Sequence, residues 1–265
     1  MRALVTCISL ATALGFPVWC APDVQAILQR SVEANERDWQ AVPRYAHRER
    51  DRLAHGSRTY EVTMIQGSPY RWLVAIDDEP LSPVAREAEQ RKLTRTIAQR
   101  QAESPDQRAS RIARFQKDRR RDHLLMEQLT QAFDFTLLGV ESVDGHQAYK
   151  FQATGKRGYR PPSLSAEVLT GMEGTLWIDQ QTCQWVKVEA HVVRPVSIEG
   201  FLARVTPGTR FELEYTPVTR AVWLPSHFAM HSRSRVLLVL PHATQADETY
   251  SDYHSVSTRT GRTAS

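Results

Sequence analysis

The sequence predicts an α+β protein built on a strongly curved antiparallel sheet with one apolar and one polar face. Three observations predict it. The first is Gly174-Thr175-Leu176-Trp177-Ile178-Asp179, followed by a polar turn over residues 180–183 and then by a second arm. In that arm Val186, Val188, Ala190 and Val192 alternate with Lys187, Glu189 and His191, the period of a half-buried strand in a hairpin. The second observation is that segments of the same kind continue to residue 253. The third is a charged, Ala- and Gln-rich stretch over residues 83–133 with no two-residue alternation, which reads as helix inserted between strands.

Length and charge narrow the classes. A chain of 265 residues that is 41% hydrophobic can bury a real core, and residues 22–256 read as a single domain. The formal net charge of +4 is too small for this size to indicate nucleic acid. Met1-Arg2, an apolar run over residues 3–16 and small residues around Cys20-Ala21 give the plan of a secretory signal over residues 1–21. The chain is therefore expected to be exported. Trp19 stands where a lipoprotein cleavage site carries a small residue, which argues against a lipid anchor on Cys20. After cleavage Cys183 is left in the hairpin turn, with no disulfide framework and no metal-ligand spacing. Residues 257–265 read as a disordered tail.

Each element follows from local pattern. Residues 23–39 place Val24, Ile27, Leu28 and Val32 at helical spacing behind a capping Asp23. Residues 44–50 read as an edge strand. Residues 59–65 and 70–76 form a hairpin around Gly67-Ser68-Pro69. Within residues 83–133, Ser104-Pro105-Asp106 divides two helices, Ser104 capping the second and Pro105 occupying its first position. The first of these is almost wholly polar. Asp144-Gly145 turns a strand ending at Val143 into one that begins near His146. Residues 166–172 are helix-like, and strands are expected at 201–205, 211–215, 222–230, 235–240 and 246–253.

Taken together, Val143-Asp144-Gly145-His146 with Tyr149, Gly158-Tyr159-Arg160-Pro161-Pro162, the Gly174 to Asp179 strand, Phe211-Glu212-Leu213-Glu214 and Trp223-Leu224-Pro225 resemble the outer-membrane lipoprotein-sorting protein family. That family lies in the wider superfamily of the periplasmic lipoprotein carrier and the envelope-stress sensor. The resemblance implies a half-open β-barrel with helices on its concave side, able to receive acyl chains. The insertion at residues 83–133 departs from the simplest carriers.

Signatures of reaction chemistry are missing. There is no Gly-x-Ser-x-Gly and no His-Glu-x-x-His, and the chain is expected not to be an enzyme and to need no cofactor. His227 and His231 are four residues apart, but on a strand that is roughly 13 Å, too far for one metal ion. Asp77-Asp78-Glu79 reads as a solvated turn. The acyl-binding face is expected to carry Val62, Val186, Val188, Val192, Phe211, Leu213, Phe228 and Met230. Arg108, Arg111, Arg114, Lys117 and Arg121 form the sharpest basic cluster, a surface for an acidic partner or anionic lipid, or a solvated helix balanced by its own carboxylates. Two functions compete: a periplasmic, non-catalytic binder of lipid or lipoprotein acyl chains, and an envelope sensor with a filled cavity that meets a protein partner through residues 83–133. Expected partners are acyl chains, an envelope protein and the membrane surface by peripheral contact. Nucleic acid is not among them.

Overall fold

The structure is a computed structural model and describes residues 22–198, 203–236 and 240–256. The expected signal at residues 1–21 and tail at 257–265 lie outside the described residues. Helix α1 spans Val24–Ala41, with the Asp23 carboxylate accepting the Ala26 N–H as its N-cap. Its buried stripe runs through Ile27, Leu28, Ser31, Ala34, Asn35, Asp38 and Ala41, a helical period that carries polar residues inward at its C-terminal end.

A meander follows: β1 (Tyr45–Arg52), β2 (Ser57–Ile65), β3 (Ser68–Ile76) and the two-residue β4 (Glu79–Pro80). Strand β1 is not an edge. It pairs with β2 on one side and with the last strand, β13 (Leu240–Ser255), on the other, because the chain returns at its end to close that flank. The Asp77-Asp78 turn is tight, both residues adopting positive φ, and Asp78 pairs through both carboxylate oxygens with Arg50.

Residues 83–133 form the two expected helices, α2 (Pro83–Gln101) and α3 (Pro105–Ala132). Ser104 and Gln107 make a complete capping box at the start of α3, which fixes the break between them. Helix α2 buries none of its residues. It is fastened by a guanidinium: Arg100 donates to the carbonyls of Ile65, Ser68 and Pro69 at the β2–β3 turn.

The second half of the sheet is β5 (Phe133–Val143), β6 (His146–Gly155), β7 (Met172–Asp179), β8 (Trp185–Val192), β9 (Val196–Ile198), β10 (Ala203–Val205), β11 (Arg210–Pro217) and β12 (Trp223–Val236). The helix-like stretch before β7 is a 3-10 helix, Leu164–Gly171. The strand expected at 222–230 continues unbroken to Val236, so residues 235 and 236 of the strand expected at 235–240 belong to β12, residue 240 opens β13, and residues 237–239 lie outside the described residues. Every strand belongs to one antiparallel sheet in the order β4-β3-β2-β1-β13-β12-β11-β8-β7-β6-β5, with β9 and β10 branching from β12. The sheet is curved and does not close, β4 and β5 being its two ends. Helices α1 and α3 lie on its inner face, where Ile27, Leu28, Met126 and Leu129 pack with Phe151, Leu176, Ile178 and Trp185. No described helix is long and apolar enough to cross a membrane.

The β7–β8 hairpin turns as expected. Asp179 Oδ1 accepts from the backbone N–H groups of Gln181 and Thr182 and from the Thr182 hydroxyl, and Cys183 takes positive φ in a buried position. One feature of the hairpin escapes strict alternation. Trp177 pairs with Lys187 but Ile178 pairs with Trp185, so β8 carries a bulge that leaves Val186 as the extra residue. Val186 therefore packs with Ala148, Trp177 and Trp223, whereas Val188 packs in the cluster of Leu176 and Trp185.

Candidate functional site on the helix-covered inner face

Register assigns the inner face residue by residue, because directly paired residues of antiparallel strands share a side. One row runs Leu176, Val188, Leu213, Phe228, Glu248 and Asp51, and the next runs Gly174, Ala190, Phe211, Met230 and Ala246. Over β6 to β12 the rows are apolar. Over β13 and β1 they bring in Glu248, Asp51 and Glu49, while β2 and β3 mix Tyr60, Val62 and Leu73 with Arg71.

A half-open cleft of about 430 Å3 lies between α1, α3 and strands β11 to β13. Trp39, Val42, Met126, Leu213, Trp223, Leu224 and Pro225 supply most of its wall, and Asn35, Asp38, Arg119 and His123 form a polar end. Asp38 organises that end. Its Oδ1 accepts the Trp223 N–H at 3.0 Å, both its oxygens accept from Gln184 Nε2 at 3.1 Å, and the residue is 4% exposed. Burial pushes the carboxyl up to about 6 against the opposing pull of those two donors. The same Gln184 nitrogen also donates to the Ala221 carbonyl, while Gln184 Oε1 is buried with no partner.

Arg119 stacks on the Trp39 ring with its guanidinium carbon 4.4 Å from the centroid and donates to the Trp39 carbonyl. Burial lowers its pKa. A second arginine of the same basic run is used as a fastener. Arg111 joins both oxygens of Glu103, the Ser68 hydroxyl and the Gln66 carbonyl, locking α3 to the β2–β3 turn. Arg108 has a buried Nε with no hydrogen-bond partner. Arg114 and Lys117 are exposed, and Arg121, also exposed, meets Asp118 at 3.4 Å. The run is thus divided between internal clamps and solvent.

The polar half of the inner face is a network. Arg71 bridges Glu49 at 3.1 Å and Asp51 at 2.8 Å and lies over the Tyr60 ring. Tyr250 donates to Glu248, and His47 packs against Tyr250 and Tyr253. Burial, eased by Arg71 but reinforced by Asp51, raises Glu49 to about 7, and burial with Arg71 and His254 nearby lowers His47 to about 4. Sequence reasoning missed this network. Alternation does place Glu49 and Asp51 on one side of β1, but nothing local says which side faces inward.

Of the eight residues expected on an acyl-binding face, Leu213 lines the cleft. Val188 packs just beyond it, and Phe228 stands between Leu213 and Glu248. Val192 is fully buried beside Phe133 and Met172, and Phe211 packs against that cluster. Val62 sits between His47 and Arg71 in the polar half. Phe211 and Met230 also line a second groove, of about 510 Å3, together with Ala190 and Ala246 of the same inward row and with the neighbouring Glu189, Glu212, Asp247, His191, Arg210 and His231. His227 and His231 both lie on β12, with His227 paired to Asp247 at 3.2 Å.

An open antiparallel half-barrel whose inner face is covered by helices is a fold that binds in its concavity or fills it. No protein-family model matches the chain, and no curated protein matches it in sequence. Several solved structures are similar to it. They include a LolA superfamily protein from Nitrosomonas europaea, 15% identical over 89% of this chain and 94% of that one, with a TM-score of 0.32. A putative outer membrane lipoprotein-sorting protein domain from Vibrio parahaemolyticus is 11% identical over 87% of this chain and 94% of that one, with a TM-score of 0.29. The Pseudomonas aeruginosa MucA/MucB complex contains a chain 12% identical over 86% of this chain and 93% of its own, with a TM-score of 0.24. At these identities and scores, function has to be argued from the site itself.

Proposed function

We propose that the protein is a periplasmic, non-catalytic binding protein whose inner face receives the acyl chains of a lipid or lipoprotein. The observation that carries this reading is the half-open cleft between the helices and the sheet: about 430 Å3, with an apolar wall of Met126, Leu213, Trp223, Leu224 and Pro225 and a polar end at Asn35, Asp38, Arg119 and His123. That volume is in the range of ligand sites, and the division into apolar wall and polar end suits an amphiphile. Each buried methylene would contribute about 0.8 kcal/mol. Residues 22–256 act as one binding domain in this reading, and residues 1–21 direct export.

Native mass spectrometry of the full chain before and after organic extraction, with displacement of a fluorescent fatty acid, tests it. A lipid-sized extractable mass and displaceable probe, with probe binding weakened at least about tenfold by Leu213→Asp, is the expected result. A clean apo mass with no probe binding would overturn it. A second reading, an envelope sensor that engages a protein partner, is favoured by the polar half of the inner face, where Glu49, Asp51 and Glu248 offer an alkyl chain little.

A further inference from the structure

We propose that Glu36, His123 and Glu127 form a divalent-cation site that ties α1 to α3 beside the cleft, with Zn2+ the ion that suits its donor set. His123 and Glu127 are one turn apart on α3, and Glu36 faces them from α1. The three ligand atoms lie within 4.8 Å of one another. His123 Nε2 is 2.6 Å from Glu36 Oε2 and 3.6 Å from Glu127 Oε1. Donors around a tetrahedral Zn2+ with bonds of about 2.0–2.2 Å stand roughly 3.4 Å apart, so the His123–Glu36 pair has to open by about 0.8 Å and the two carboxylates, within 4.8 Å of each other, have to close by up to about 1.4 Å.

The proton arithmetic favours a cation. One imidazole N–H serves one carboxylate, yet the same nitrogen faces two, and a metal ion would satisfy all three groups. The His123 side chain is only 6% exposed, and its ring is stacked on Trp39 at 4.3 Å and 12°, which fixes the direction of Nε2. The carboxylates are 38% and 48% exposed, leaving a path for the ion and an open position for water. Arg119 is the neighbouring cation. Its hydrogen bonds go to the Trp39 carbonyl and to Gln116, so it reduces the affinity without occupying either carboxylate. The site shares His123 with the polar end of the proposed acyl-binding cleft, but metal binding does not require lipid binding.

The test is a Co2+ titration of the EDTA-treated, dialysed full chain followed by visible absorption, with Zn2+ as competitor and circular dichroism as the fold control. Saturation at one equivalent, a tetrahedral Co2+ spectrum erased by Zn2+, and a higher Tm with Zn2+ are expected. Glu127→Gln and Glu36→Gln should each weaken binding by about tenfold or more while leaving the far-UV spectrum unchanged. Absence of saturable binding would overturn the site. So would affinity unchanged in both variants, which would place the ion at other histidines.

Discussion

Asp38 is a carboxylate that the fold keeps out of water while asking it to accept hydrogen bonds, and the two demands set a measurable pH dependence. Its pKa rises from 3.8 to about 6, a difference worth about 3 kcal/mol at any pH well above both values. The sign follows from the raised value. The folded state binds the proton more tightly, so the stability linked to Asp38 is fully present below pH 4 and is lost as pH rises through 6. Between pH 4 and 8 the loss comes to about 2 kcal/mol. Asp38→Asn removes the titration and keeps Oδ1 for the Trp223 N–H and Gln184 Nε2, while its Nδ2 replaces the second oxygen that faced Gln184 Nε2. At pH 8 the roughly 3 kcal/mol of relief from the buried charge is offset by about 1–3 kcal/mol for the lost acceptor, so it is expected to match or slightly exceed the parent there and to fall below it at pH 4. Asp38→Ala instead strands the Trp223 and Gln184 donors, each costing about 1–3 kcal/mol, so its deficit is largest at acid pH. Urea unfolding of the three proteins from pH 4 to 8 is the assay. Glu49 titrates with the same sign in the upper part of this range, so the informative curve is the difference between parent and Asp38→Asn. A difference that does not change with pH would refute the reasoning.

Two further substitutions test the sheet and the insertion. At Gly174 an added Cβ would stand 2.4 Å from the Glu189 carbonyl oxygen and 3.1 Å from the Ala190 Cα, both backbone of β8, so Gly174→Ala should cost about 1–3 kcal/mol in denaturant unfolding; an unchanged midpoint would show that β7 and β8 are not so closely apposed. Arg111→Ala removes a charge-assisted grip on Glu103, Ser68 and Gln66, and should cost about 2–3 kcal/mol and speed amide exchange in α2 before it does so in β6 and β7. Equal exchange rates in α2 with and without the guanidinium would contradict this.

Turns and helix boundaries were legible where one residue type decides the backbone. Asp144-Gly145 takes positive φ at both positions, and Ser104-Pro105 starts α3 where its cap requires. Strand pairing at a distance was not. Residues 44–50 lack the apolar alternation of a central strand because β1 turns Glu49 and Asp51 inward to Arg71, and only the long-range pairing with β13 shows that it is central. The bulge at Val186 was equally hidden, since an extra residue leaves the one-letter alternation intact while moving its side chain to another cluster. For Asp38 a signal was present. The buried stripe of α1 continues at helical spacing through Ala34, Asn35, Asp38 and Ala41, and polar residues on that stripe mark the end of the helix that meets Gln184 and Tyr215.

The order of the strands has a consequence for assembly. Strands β1 to β4 and strands β5 to β12 are contiguous blocks in both sequence and sheet, and β13 is the ladder that joins them, pairing with β1 on one side and β12 on the other. During synthesis each block can zip by local hairpins, but they remain two separate sheets, with β1 and β12 exposing unpaired edges, until the final segment has emerged. Completion is thereby postponed until β13 has emerged, and a product truncated before Leu240 would carry two sticky margins in place of one continuous surface.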